Sequence, residues 1–297
     1  MTSGHPLEPV HEVLEARAFE VGDGTEVRRL IPQRVLRTVG AWCFADHYGP
    51  DDVTASEGMQ VPPHPHTGLQ TVSWLLEGDI VHRDSLGTVQ RVGPRELSLM
   101  TSGDAISHSE ESPADRPPVL HGVQLWVALP EDRRHGPPAY EHHAVLPRVE
   151  HGGLTATVVL GTHAGVTSPG TTYSPLVGLE VEGSGVLPLE STWEHVAFAL
   201  SGTATIDGRT SEVGELVQLG MGRDALDVDG HVMVLGGEPL TEQLVLWWNF
   251  VCRSNEEVVQ AREDWESSSG RFGTVVGYPG PALSAPPVGP VRLMPRS

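Results

Sequence analysis

The chain has 297 residues, enough for one large or two ordinary domains, and its 34 glycines and 25 prolines favour turns and short strands over long helices. All 19 basic residues are arginine and stand against 39 acidic ones, a net charge of −20 with histidine neutral. The lack of lysine excludes Schiff-base catalysis and a lysine-bearing phosphate loop, and the acidic field argues against direct nucleic-acid or anionic-membrane binding. Cys43 and Cys252 lie far apart, so no disulfide framework exists and a reduced, cytoplasmic setting is the expectation. The first twenty residues have no basic segment followed by an apolar core, so no signal peptide is expected. No apolar run approaches the roughly 18–20 residues that span a bilayer.

In chain order, strands are predicted over residues 70–76 (QTVSWLL), 96–100 and 123–129 (VQLWVAL). Residues 130–147 are polar, proline-containing and free of alternation, which places a domain division there, residues 1–138 against 139–297. Further strands are predicted over 154–160, 195–200, 204–206, 231–235 and 243–250 (QLVLWWNF), with Asp207-Gly208 turning a hairpin after Ile206. Val196, Phe198 and Leu200 alternate with smaller residues, predicting one core face and one more exposed face. Ser254-Asn255-Glu256-Glu257 is a capping box opening a short helix: Ser254 caps the first turn and Glu257 reaches back. From about residue 270 the chain is Gly/Pro-rich and reads as an extended tail. Short strands punctuated this way predict an all-β sandwich or barrel.

Two histidine-bearing stretches carry the chemistry, His64-Pro65-His66 and His108-Ser109-Glu110. Residues i and i+2 of a strand project to one face, so each pair can aim two donors at one point. Three imidazoles and a carboxylate form a set suited to a divalent first-row metal, with iron, manganese, nickel, copper and zinc all admissible. Either pair alone is also compatible with a solvated turn; both together point to metal.

The stretch HPHTGLQTVSWLLEG from His64, then HRDSLG from His82, MTSGDAISHSE from Met100 and GVQLWVALP from Gly122 resembles the pirin family of the cupin superfamily. Arg28-Arg29-Leu30 and FADHYGP from Phe44 fit the start of such a domain, while GEPL from Gly237 and Asn255-Glu256-Glu257 match weakly. The resemblance implies a bicupin, two double-stranded β-helix (jelly-roll) barrels packed together, with one metal in the N-terminal barrel. It places His64, His66, His108 and Glu110 on the family's four ligands, usually described with iron, so Fe2+ is the expected ion. Gln70 departs from the glutamate usual at its position, and is expected behind the ligands or lining the pocket. Trp193-Glu194-His195 falls where a second cupin would begin its first motif, yet no HxH follows, so the C-terminal barrel is expected to be metal-free.

Other residues have plainer expectations. Asp84 and Ser85, after His82 and Arg83, would bond turn backbone and close a hairpin. His121 would simply precede a core strand, a place behind the site being the lesser alternative, with Trp74 and Trp126 in the barrel core and His142, His143, Glu150 and His151 in solvent. The resemblance also implies an activity, the quercetin 2,3-dioxygenase reaction, in which a flavonol binds through its 3-hydroxyl and 4-carbonyl oxygens. Glu110 would then serve as ligand and proton acceptor. The alternative is a metal- or redox-responsive regulatory protein acting through a protein partner, and a third possibility is an ion that merely cross-links strands.

Overall fold

The computed structural model describes residues 9–21 and 25–296; the first eight residues of the N-terminal segment assessed for targeting lie outside them. The chain forms two compact units that interleave in sequence. One takes the described parts of residues 1–19, with 28–47 and 143–240; the other takes those of 20–27, with 48–142 and 241–297.

The first unit is built on an antiparallel sheet with the order Pro9–Glu15, Glu215–Gly220, Glu194–Ala199, Ala225–Gly237, Leu176–Pro188, Leu154–His163, Arg148–His151. Leu179, Val181, Val232 and Val234 share a solvent-free core with Ala197 and Ala199. Val196, Phe198 and Leu200 are buried as expected, but the more exposed face is corrected here, because the smaller residues between them, Ala197 and Ala199, are fully buried as well. The two alanines face the inner core, while the ring of Phe198 lies 6.5 Å from that of His47 on the other face. Covering on both sides removes the exposed face that alternation implies. Asp207 (φ +48°) and Gly208 (φ +74°) turn the strand Thr203–Ile206 into Arg209–Glu212, a two-residue hairpin with both φ values positive, as expected.

The second unit carries a four-stranded sheet in the order Gln60–His66, Ile106–Glu111, Ile80–Asp84, Val89–Val92. A further sheet includes Leu97–Thr101, Leu69–Glu77 and Val119–Ala128. Tyr48, Val61, Leu75, Ile80, Val92 and Leu120 form part of its core. Residues 243–250 do not form one strand: Val245–Trp247 and Phe250–Cys252 pair as a hairpin around Trp248-Asn249. Trp248 sits at φ +49°, a conformation that hydrophobic patterning does not report. The helix Asn255–Glu266 follows, with Ser254 accepting from the Glu257 N–H at 3.2 Å. The capping box is completed differently from expectation: the Glu257 carboxylate accepts from the Arg253 N–H and pairs with Arg134. Beyond it the tail packs on the unit, Phe272 against Phe250 and Trp265, and the Leu283 N–H donates to the Pro63 carbonyl at 2.8 Å. Among the described residues, no helix is long and apolar enough to cross a membrane.

Candidate metal centre

Strand register assembles the site. His64 stands opposite His108 and Pro65 opposite Ser107, and Ile106–Glu111 pairs on its other edge with Ile80–Asp84, so that Asp84 faces His108 and His82 faces Glu110. With side chains alternating, His64, His66, His108, Glu110, His82 and Asp84 belong to one face of three neighbouring strands. The ladder slips between His108 and Glu110, where one residue separates them but two separate His64 from Val61. Pro62 and Pro63 occupy that stretch, and a residue without an N–H cannot continue a ladder, which fits a bulge at this point.

His64, His66 and His108 are all buried, with donor atoms within 4.8 Å of one another. The Nε2 atoms of His66 and His108 are 3.0 Å apart. His64 Nδ1 lies 2.9 Å from the Pro62 carbonyl and His66 Nδ1 lies 3.0 Å from the Asn249 carbonyl. A carbonyl only accepts, so each ring donates through Nδ1 and keeps its Nε2 lone pair for the centre. Burial drives the His64 pKa down to about 4 and those of His66 and His108 well below the ordinary value, the neighbouring imidazoles adding to the effect. The rings are therefore neutral at pH 7 and available as ligands. Bare nitrogens 3.0 Å apart repel, whereas two donors about 2.1 Å from a shared ion sit at this spacing, so the donor set fits a divalent metal.

Glu110 is grouped with His108 and His82, their ligand atoms within 4.8 Å of one another. Ser73 Oγ is 2.8 Å from its Oε1, and burial raises the Glu110 pKa against the lowering influence of His82 and of that hydrogen bond. Gln70 is fully buried and donates to Thr101 Oγ1 at 3.0 Å. Trp74 and Trp126 are both buried in the core, as expected, and Trp126 also packs against the His66 ring, centroids 5.2 Å apart at 79°. His121 lies buried in register with Glu77.

The hairpin expected at His82-Arg83-Asp84-Ser85 forms, Ile80–Asp84 pairing with Val89–Val92, but the place of His82 beside the candidate ligands was not foreseen. Asp84 does bond turn backbone, accepting from the Leu86 and Thr88 N–H groups, but His82 is a buried strand residue beside His108. The missed signal is its spacing: His82-Arg83-Asp84 repeats the i, i+2 pattern of the other two pairs. His142 is also not simply solvated, since it pairs with Glu96 at 2.8 Å, and His151 Nε2 lies 2.8 Å from His163 Nε2. In the other unit Glu194 accepts from the Gly40 N–H at 2.8 Å, and His195 is buried. A group that sequence spacing did not reveal, Glu180, Glu182 and His231, gathers there too, with His231 held between Glu180 (2.7 Å) and Ser201 (3.0 Å).

Known proteins agree with this architecture. The Pirin family matches residues 24–127 and the Pirin C-terminal cupin domain family matches residues 177–273. A Pseudomonas aeruginosa protein, whose name places it provisionally among the quercetin 2,3-dioxygenases, is 43% identical over 92% of this chain and 89% of its own. The crystal structure of a quercetin 2,3-dioxygenase from Acinetobacter baumannii superposes with a TM-score of 0.92 at 38% identity, covering 95% of this chain and 97% of that one. The bacterial pirin YhhW from Escherichia coli, solved with nickel(II), shares the fold at a TM-score of 0.59 and 18% identity, over 77% of this chain and 99% of its own. With its all-β architecture, its buried histidine cluster and both family domains in order, the chain belongs to the pirin family of bicupins.

Proposed function

We propose that this chain is a metal-dependent dioxygenase of the quercetin 2,3-dioxygenase kind, with His64, His66, His108 and Glu110 holding one divalent ion, iron foremost, and a flavonol as substrate. The observation that carries the reading is the convergence of three neutral, buried imidazoles, two of them with Nε2 atoms 3.0 Å apart. The names of the similar Pseudomonas and Acinetobacter proteins supply the reaction class. A bound ion of this kind supplies Lewis acidity toward substrate oxygens. The chain's own residues supply the remainder. The Pro62 and Asn249 carbonyls fix the ring orientations of His64 and His66, and the Trp126 indole packs against His66 and keeps water from that side. Glu110, its carboxyl raised by burial, is a stronger base than a surface carboxylate and takes the flavonol 3-hydroxyl proton on a carboxylate oxygen.

Incubating the protein loaded with iron, manganese, nickel, copper or zinc with quercetin, in air and without oxygen, tests the reading. Loss of the flavonol absorption band that requires both metal and oxygen supports it. No loss with any of the five ions overturns it.

A further inference from the structure

His82 and Asp84 share the sheet face of the candidate ligands but have no task in the proposed reaction. Asp84 is fixed first: its Oδ1 accepts from the Leu86 N–H at 2.9 Å and the Thr88 N–H at 3.0 Å, and its Oδ2 lies 3.1 Å from His82 Nε2. Burial acts to raise the Asp84 pKa, yet the hydrogen bonds from His82 and Thr88 outweigh it and the net shift is downward, so this is a carboxylate that only accepts. In its neutral form His82 then carries its proton on Nε2, toward Asp84, and leaves Nδ1 bare. That Nδ1 lies 3.4 Å from Nδ1 of His108, so His108 must supply the proton between them. A ring protonated at Nδ1 offers its other nitrogen, Nε2, which faces His66. His82 is itself held flat against Tyr140, ring centroids 4.3 Å apart at 18°, and the Tyr140 hydroxyl is 3.0 Å from Ser98 Oγ.

We propose that Asp84 and His82 are a positioning pair that locks His108 in its Nδ1–H tautomer and so presents His108 Nε2 to the metal. His64 and His66 are oriented by backbone carbonyls, which no substitution removes; His108 alone is oriented through side chains. A carboxylate behind an imidazole ligand sharpens its orientation and raises its basicity. Here the effect passes through one further imidazole. The role in metal binding rests on the proposed function, whereas the tautomer does not.

Long-range proton–nitrogen NMR of the metal-free protein reads each tautomer directly. The expected result is a proton on His108 Nδ1 and on His82 Nε2; a bare His108 Nδ1 overturns the proposal. Co2+ affinity, measured by chelator competition together with the cobalt absorption bands, supplies the second readout. His82→Phe keeps a ring against Tyr140 but removes the acceptor, and is expected to weaken Co2+ binding about 10- to 100-fold. His82→Asn, whose Oδ1 occupies the place of Nδ1, is expected to restore most of the affinity and the native bands. Equal weakening in both variants assigns His82 to packing and overturns the proposal. Should His82→Phe fail to fold, Asp84→Asn replaces it: a loss in the same direction supports the pair, and unchanged affinity and bands overturn it. If the unaltered protein takes up no Co2+, the metal reading fails, and the NMR result alone decides the positioning pair.

Discussion

Most of what the site needs is settled residue by residue through burial. Imidazoles that are exposed titrate near pH 6.5; those enclosed here are held neutral because the low-dielectric interior penalises the cation. His195, outside the candidate metal centre, shows the consequence for stability. Burial is the chief cause of its fall from 6.5 to about 4. The folded state then refuses a proton that the unfolded chain accepts, so this contribution is complete above pH 6.5 and is lost as pH falls toward 4. Denaturant unfolding of the metal-free protein is expected to show stability declining across that window, with His195 contributing about 1–3 kcal/mol. His195→Asn should flatten the decline; an unchanged slope contradicts the assignment. That His64 and His66 share one strand face, and His108 and Glu110 another, was legible in the sequence because HxH and HxE spacing survives translation into strands. His82 was not, because a histidine ahead of Asp-Ser reads equally well as a turn, and only the register opposite Glu110 separates the two.

The elements that shape the site come from distant parts of the chain. His66 is oriented by a carbonyl 183 residues away, in the Trp248-Asn249 turn, and the adjoining Val251 N–H donates to the Thr67 carbonyl at 3.0 Å. This could not be read from the apolar run QLVLWWNF, which has the composition of a strand. The positive φ of Trp248 divides it, and its value emerges only when the hairpin seats against the strand beside His66. Gly68 permits the close approach: its φ is +74° and a Cβ there would lie 2.1 Å from the Val251 carbonyl oxygen. Gly68→Ala is therefore expected to push the hairpin away, destabilising the protein by about 2 kcal/mol or more. It should also weaken metal binding about tenfold through the loss of the His66 hydrogen bond. Calorimetry and chelator competition check the two effects; a stable variant with native affinity removes the hairpin from the account of the site.

At the scale of the whole molecule, glycine and proline content, short apolar strands and a single capped helix already specified an all-β protein, since each reflects a local backbone preference. What local preference cannot specify is how the chain returns. Residues 241–297 rejoin the unit of residues 48–142 through long-range packing and a few backbone hydrogen bonds, such as that from Leu283 to Pro63. The tail thereby covers the back of the strands whose front carries the histidines: the Ser107 hydroxyl, next to His108, donates to the Phe272 carbonyl at 2.9 Å. The net charge of −20 does not oppose this assembly's proposed task, because a buried cluster of neutral donors and one carboxylate attracts a divalent cation whatever the partner surface. The central claim is that His64, His66, His108 and Glu110 hold that cation. Elemental analysis of the purified protein beside His66→Ala and Glu110→Ala tests it most directly. The account predicts about one transition-metal ion per chain in the unaltered protein and its loss from both variants. Unaltered protein that cannot be loaded with any of the five ions, or variants that keep a full complement, would contradict it.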